Sequence, residues 1–131
     1  MNIFITGASG FIGGAIARRL RGAHTIKAMS RSERSDAVLR ELGVEPVRCE
    51  LGAVRPEDLA GCEVVIHCAA FVEQWGTREQ FWQANVEGTQ QLLDAARQAG
   101  ANFDYAHRQS GSRRRVGARA RQRRPGLLRD R

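Results

Sequence analysis

Short apolar runs alternate with segments of helical periodicity along most of the chain. Short runs between turn residues predict strands at residues 3–5, 25–29, 44–48, 64–66 and 102–106, and the run at 64–66 consists entirely of β-branched residues. Apolar residues spaced three and four apart predict helices from Gly10 to a stop at Gly22, over residues 36–42, and over residues 77–98 before Gly100. A short helical turn is predicted at residues 56–59, where Pro56 occupies its first position.

The order of these elements indicates the fold class. Strands that alternate with helices are typical of a parallel sheet covered by helices on both faces. Right-handed crossovers then predict a Rossmann-like, doubly wound α/β sheet with strand order 3-2-1-4-5. The 131 residues leave room for one domain, so we expect a truncated form of this fold.

The last part of the chain differs from the rest in charge and periodicity. Residues 108–131 hold ten arginines and one aspartate, whereas residues 1–107 hold 11 basic and 13 acidic side chains. The basic segment has no apolar periodicity and cannot bury a core. We therefore divide the chain into a domain at residues 1–106 and an Arg-rich, disordered tail at residues 107–131.

Several classes of protein are disfavoured by what the sequence contains. Cys49, Cys62 and Cys68 have neither zinc-site nor disulfide spacing, and the three histidines suggest no metal site. His67, within the fourth predicted strand, is interpreted as a hydrogen-bonded core residue. Reduced thiols fit a cytoplasmic protein best, and no targeting segment or apolar run of membrane-spanning length is visible.

The most informative chemistry lies between the first strand and the first helix. Gly7, Gly10 and Gly13 follow the strand and open the helix. In a dinucleotide loop, the first glycine permits the turn, the second admits the pyrophosphate, and the third lets the helix pack closely. The N-terminus of the helix then faces the anion. The alternative is an ordinary glycine-rich β–α turn.

The end of the second strand bears on the choice of cofactor. An NAD site usually places a carboxylate there for the ribose hydroxyls. This chain has Ser30, Arg31 and Ser32, with no acid before Glu33. Because Arg31 could pair with a 2′-phosphate, with help from Ser30, NADP is favoured and NAD is the alternative. Otherwise Arg31 is a solvated loop residue.

Three motifs in the expected order resemble those of a known family. They are Thr6-Gly-x-x-Gly-Phe-Ile-Gly, Val65-Ile-His-Cys-Ala-Ala and Asn85-Val-Glu-Gly-Thr. The sequence resembles the N-terminal half of the extended short-chain dehydrogenase/reductases, which include epimerase/dehydratases, dihydroflavonol reductases and 3β-hydroxysteroid dehydrogenases. The likeness covers residues 1–101 and implies a dinucleotide-binding domain of an oxidoreductase or epimerase.

The resemblance implies further roles position by position. Phe11 and Ile12 would offer backbone N–H groups to the pyrophosphate, and Glu50-Leu51 would lie near the adenine. Ala69 and Ala70 would lie beneath the nicotinamide side, and Asn85 would organise the active-site helix. For these positions a strand-end or helix-surface role remains the alternative. The full set of candidate cofactor-binding residues is Gly7, Ser9, Gly10, Phe11, Ile12, Gly13, Ser30, Arg31, Glu50, Leu51, Ala69, Ala70 and Asn85.

The family's catalytic pair is missing. The resemblance implies a Tyr-x-x-x-Lys acid, but the only tyrosine is Tyr105, which Gln109 follows at the lysine position, and the only lysine is Lys27. We therefore expect no catalytic residues and no activity from this chain alone. The Arg-rich sequence after residue 101 is interpreted as an out-of-frame or truncated product. The alternative is a non-catalytic dinucleotide module whose basic arm binds nucleic acid non-specifically.

Overall fold

Strands and helices alternate through the residues that the computed structural model describes, 1–69 and 76–105. The strands are β1 (Asn2–Thr6), β2 (Thr25–Ser30), β3 (Glu45–Arg48), β4 (Val64–His67) and β5 (Asn102–Tyr105). The helices are α1 (Phe11–Leu20), α2 (Glu33–Glu41), a 3-10 helix (Pro56–Leu59), α3 (Arg78–Trp82), a π-helix (Gln83–Glu87) and α4 (Gly88–Ala99).

The strands form one parallel sheet in the order β3-β2-β1-β4-β5. The predicted Rossmann-like fold class is therefore confirmed. Strand β1 lies at the centre, between β2 and β4. From β1 the chain adds β2 and β3 on one side, and it then returns to add β4 and β5 on the other side. In sheets of this topology, ligands bind beside the carboxyl ends of the strands at the point where the order changes sides. Here those ends are Thr6 of β1 and His67 of β4, which are paired in register.

Alternation along β1 divides the core into two layers. Ile3 and Ile5 pack on one side of the sheet, in a cluster with residues of α1 and α2. Phe4 faces the opposite side and packs with Val65 and with Leu92 of α4. Both layers are buried, so the strand ends that carry the candidate site are fixed from both faces.

Helix α2 begins three residues earlier than predicted. Its N-cap is Ser32, whose hydroxyl accepts a hydrogen bond from the backbone N–H of Ser35 at 3.2 Å. The first turn is polar and exposed or half-buried, so it carries no apolar periodicity from which a start could be recognised. The capping serine is what defines the start of the helix.

The long helix predicted at residues 77–98 is interrupted by the π-helix at Gln83–Glu87. Its start agrees with the prediction, since Thr77 and Gln80 form a reciprocal capping box. Its end also agrees, since Gly100 adopts the left-handed conformation with φ of 76°. The wide π turn adds a residue that an apolar repeat of 3.6 does not register.

Two predicted features lie outside the described residues. Ala70 is one of them, and residues 106–131, with the proposed domain boundary and Arg-rich tail, are the other. Within the described part of the chain, no helix has both the length and the apolar character needed to cross a membrane.

Candidate functional site

The loop after β1 is shaped by two glycines that cannot be replaced without a backbone clash. Gly7 has φ of 73°, and a Cβ atom there would lie 2.8 Å from the backbone nitrogen of Ala69. A Cβ atom on Gly13 would lie 2.2 Å from the carbonyl oxygen of Gly7. Gly7 therefore makes the tight turn beside β4, and Gly13 lets α1 approach the loop.

Gly10 is a glycine for a different reason. Its backbone is extended, with φ of −88° and ψ of −178°, and among the described residues a Cβ atom would meet the Gly7 carbonyl oxygen alone, at 3.3 Å. Any residue type can adopt this conformation, so the turn itself does not demand glycine. What a side chain here would occupy is the space in front of the first turn of α1.

The N-terminus of α1 suits an anion. Gly10 is its N-cap and supplies no side-chain hydrogen bond, and the first turn contains no acidic residue. The backbone N–H groups of Phe11 and Ile12 have no acceptor within the helix, because the first turn of any α-helix lacks one. Ser9 and Phe11 are exposed, Phe11 to 93%. Uncapped N–H groups, the helix dipole and the missing Cβ together fit a phosphate group.

A buried chain of hydrogen bonds fixes the ends of β1 and β4. The hydroxyl oxygen of Thr6 accepts from the backbone N–H groups of Cys68 and Ala69, both at 3.1 Å. Its own proton is therefore directed to Nδ1 of His67, 2.6 Å away. The neutral ring carries its proton on Nε2 and donates it to the hydroxyl of Thr89 at 3.1 Å.

The network continues into the π-helix. Thr89 donates its hydroxyl proton to the backbone carbonyl of Asn85 at 2.9 Å. His67 is 1% exposed, and burial lowers its pKa to about 4. The interpretation of His67 as a hydrogen-bonded core histidine is confirmed. Through this network the half-buried Asn85 is linked to the strand end that carries Ala69.

The loop that carries Glu50 and Leu51 is fastened to α4. The side-chain amide of Gln91 forms two hydrogen bonds with the backbone of Val54. It accepts from the N–H group at 3.1 Å and donates to the carbonyl oxygen. Leu51 is half-buried against Gly88, where a Cβ atom would lie 2.9 Å from the leucine Cγ. Glu50 is exposed at the end of β3.

The end of β2 combines a buried hydroxyl with an exposed cation. Ser30 is 1% exposed, and its hydroxyl donates to Oδ1 of Asp36 at 2.5 Å. Arg48, at the end of β3, donates to Oδ2 of the same carboxylate at 2.5 Å. The Ser30 hydrogen bond, together with Arg48, lowers the pKa of Asp36. Arg31 is exposed beside this group.

Apart from Asn85 in the π-helix, the described candidate residues fall into three neighbouring groups beside the carboxyl ends of the strands. The glycine loop and Ala69 lie together, Ser30 and Arg31 follow β2, and Glu50 and Leu51 follow β3. Thr6 and Thr89 belong to the first and third motifs, but the sequence did not predict that they, or Gln91, position these groups. The signal for Thr6 is a hydroxyl residue at the end of a strand whose preceding residues, 3–5, are apolar. Among residues 1–69 and 76–105, no cluster of histidine, cysteine or acidic side chains could hold a metal ion.

Comparison with known proteins places this geometry in a family. The model of the NAD dependent epimerase/dehydratase family matches residues 3–124. A solved structure of a short-chain dehydrogenase/reductase superfamily protein from Agrobacterium tumefaciens, with bound NAD, superposes with a TM-score of 0.66 and 29% identity. The match covers 80% of this chain and 32% of that one.

Two curated relatives are similar over the same region. The decarboxylating sterol-4-alpha-carboxylate 3-dehydrogenase of Dictyostelium discoideum is 35% identical over 75% of this chain and 31% of its own length. The 4-hydroxy-2-methyl-3-oxo-4-farnesyl-3,4-dihydroquinoline-1-oxide ketoreductase of Stigmatella aurantiaca is 37% identical over 76% of this chain and 30% of its own. This chain spans less than a third of the length of either relative. It corresponds to their dinucleotide-binding portion, and it belongs to the NAD-dependent epimerase/dehydratase family.

Proposed function

We propose that this chain binds NADP, with NAD as the weaker alternative, as the cofactor-binding portion of an extended short-chain oxidoreductase. The observation that carries the proposal is the uncapped N-terminus of α1 behind Gly10, where a side chain is absent although the backbone would tolerate one. That arrangement leaves room for a pyrophosphate against backbone N–H groups.

The remaining residues hold the dinucleotide on either side of this loop. Ala69, fixed by its hydrogen bond to Thr6, offers a small surface to the nicotinamide half. Ala70, which lies outside the described residues, is proposed for the same half from the resemblance alone. Leu51 supplies an apolar contact for the adenine, and Glu50 an acceptor for its amino group. Asn85 contributes from the π-helix, which Thr89 ties to β4.

The preference for NADP rests on Arg31. It is exposed at the carboxyl end of β2, next to the buried Ser30. A guanidinium group can make two hydrogen bonds to a 2′-phosphate, which NAD lacks. The hydroxyl of Ser30 already donates to Asp36, so Arg31 is the principal phosphate ligand in this proposal.

The chain does not carry out hydride transfer by itself in this proposal. The bound cofactor would supply the hydride chemistry, and the names of the two curated relatives describe a dehydrogenase and a ketoreductase. Tyr105 is the only tyrosine, and no lysine follows it at the fourth position. A chain without that acid can bind and orient the dinucleotide but lacks the group that moves the proton.

Calorimetric titration of both cofactors tests the proposal. The parent chain should bind NADP roughly tenfold more tightly than NAD, which is the low end expected for a charge-assisted contact in solvent. Arg31→Ala should remove most of the difference with little effect on NAD, and Arg31→Asp should reverse the preference. Equal affinities for NAD and NADP in the parent would overturn the assignment of NADP.

A further inference from the structure

The carboxylate of Asp36 joins three elements at the edge of the sheet where the ribose half of the cofactor is proposed to bind. It lies on the first turns of α2, accepts from Ser30 at the end of β2, and pairs with Arg48 at the end of β3. The side chain of Asp36 is 14% exposed and that of Arg48 is 53% exposed. The carboxylate is therefore held on its buried side by Ser30 and is covered on its solvent side by Arg48.

A carboxylate at this place has a chemical consequence for the cofactor. An acid at the carboxyl end of β2 usually accepts from the ribose hydroxyls of NAD and repels the 2′-phosphate of NADP. In this chain no acid stands on the strand itself, but Ser30 fixes one from α2 beside it. Arg48 supplies the opposite charge at 2.5 Å, so the Asp36–Arg48 pair is neutral as a whole.

We propose that the Asp36–Arg48 pair determines cofactor specificity: Arg48 cancels the charge of a carboxylate that would otherwise select against a 2′-phosphate. The inference rests on the proposed function and adds two residues to it. Arg48 acts through Asp36, not by touching the cofactor, and is a positioning residue. Arg31 attracts the phosphate, while Arg48 removes the repulsion that Asp36 would exert.

A purely structural role for the pair predicts a different outcome. An ion pair with one partner half in solvent adds little to the free energy of unfolding. If the pair only held β3 against α2, its loss would weaken the binding of NAD and NADP in parallel. If the pair controls the charge near the 2′-phosphate, removing one partner changes the ratio of the NADP and NAD affinities. The ratio rises when Asp36 is replaced and falls when Arg48 is replaced.

The test measures NAD and NADP affinities by calorimetry for a double-mutant cycle. Asp36→Asn keeps an acceptor for Ser30 and leaves Arg48 uncompensated, so the NADP-to-NAD affinity ratio should rise. Arg48→Ala exposes the carboxylate, so the ratio should fall. Each change should be roughly two- to fivefold, the size of a partly screened interaction of one charge near a surface. The double variant should return to the ratio of the parent, and Arg48→Lys should retain it.

A matched control removes one positive charge elsewhere. Arg18 is exposed on the last turn of α1, which runs away from the phosphate loop, and Arg18→Ala should leave the ratio unchanged. If the parent prefers NADP but Asp36→Asn and Arg48→Ala share its ratio, this inference is wrong while the proposed function stands. If the parent binds neither cofactor, the proposed function fails and the inference fails with it.

Discussion

The hydroxyl of Thr6 lies 2.6 Å from Nδ1 of His67 and directs its proton to that nitrogen. Two backbone N–H groups already occupy the acceptor positions of the hydroxyl oxygen, so the direction of this bond is fixed. The ring of His67 must therefore accept at Nδ1, which requires that it stay neutral. Protonation would place a second proton between the two residues and break this side-chain hydrogen bond between β1 and β4.

This relationship predicts a loss of stability in acid. The pKa of His67 is about 4 in the folded chain, against 6.5 ordinarily. Above pH 6.5 the imidazole is neutral in both the folded and the unfolded chain. Between pH 6.5 and about pH 4 the imidazole is protonated in the unfolded chain but stays neutral in the folded chain, so the free energy of unfolding decreases as the pH falls through this range. The full loss should be about 3 kcal/mol.

Urea unfolding between pH 7.5 and 4 measures the effect, with His67→Asn as the reference. The asparagine keeps an acceptor near Thr6 but does not titrate, so its stability should fall less steeply in this range. Acidic groups with lowered pKa, such as Asp36 and Asp58, contribute equally to both proteins and cancel in the difference. Parallel pH curves for the two proteins would contradict the assignment of a neutral, buried His67.

The glycine loop predicts a large effect at Gly13. A methyl group there would lie 2.2 Å from the Gly7 carbonyl oxygen, so Gly13→Ala must displace α1 from the loop. The free energy of unfolding should fall by about 3 kcal/mol or more. Gly22→Ala is the control, since a Cβ there meets no heavy atom of the described residues within 4 Å, its two chain neighbours aside. Equal stability of the two variants in urea unfolding would argue against this close approach.

Two adjacent glutamines on α4 make a matched pair. Gln91 satisfies both backbone groups of Val54, a residue that is 1% exposed, whereas Gln90 is exposed and, within the described part of the chain, its side chain bonds to Asp94 alone. Gln91→Ala should lower the free energy of unfolding by about 2 to 3 kcal/mol, because it leaves two buried backbone groups without a partner. Gln90→Ala should change it by less than about 0.5 kcal/mol. Thermal unfolding of both variants would show the difference. Similar losses of stability in the two variants would argue against the hydrogen bonds between Gln91 and Val54.

The missing acid predicts an inactive chain. We expect no NADP-dependent turnover of hydroxysteroids, flavonols or sugar nucleotides above the rate with cofactor alone, because no tyrosine–lysine pair is present. Absorbance of NADPH at saturating cofactor measures this for the hydroxysteroids and flavonols, and chromatography of the products measures it for the sugar nucleotides, whose epimerisation leaves no net change in the cofactor. A rate that depends on the chain and disappears in Gly10→Val would show that other residues supply the proton.

Features of the fold that leave a local pattern in the sequence could be predicted, and features that do not could not. The β-branched run of β4 and the glycines that follow β1 predict the central strands and the loop, because each carries a local steric signature. The order of the strands follows from chain handedness and is confirmed. The start of α2 was placed too late because its first turn is polar and its cap, Ser32, gives no periodic signal.

The parts of the site that the sequence did not predict depend on contacts between distant residues. Thr6 and His67 are 61 residues apart, and Gln91 and Val54 are 37 apart, so no local pattern connects them. The hydroxyl of Ser30 was expected to be available to a phosphate, but it donates to Asp36. Only the three-dimensional structure shows which acceptor takes its proton.

The most direct test of dinucleotide binding compares the parent chain with Gly10→Val. Valine suits the extended backbone at this position, and among the described residues its Cβ atom meets one oxygen at 3.3 Å, so the variant should fold with stability within about 1 kcal/mol of the parent. Its side chain fills the space in front of α1, so its affinity for NADP should fall at least about tenfold in a calorimetric titration. Equal NADP affinity in two equally folded proteins would contradict the account, since the phosphate would then bind elsewhere.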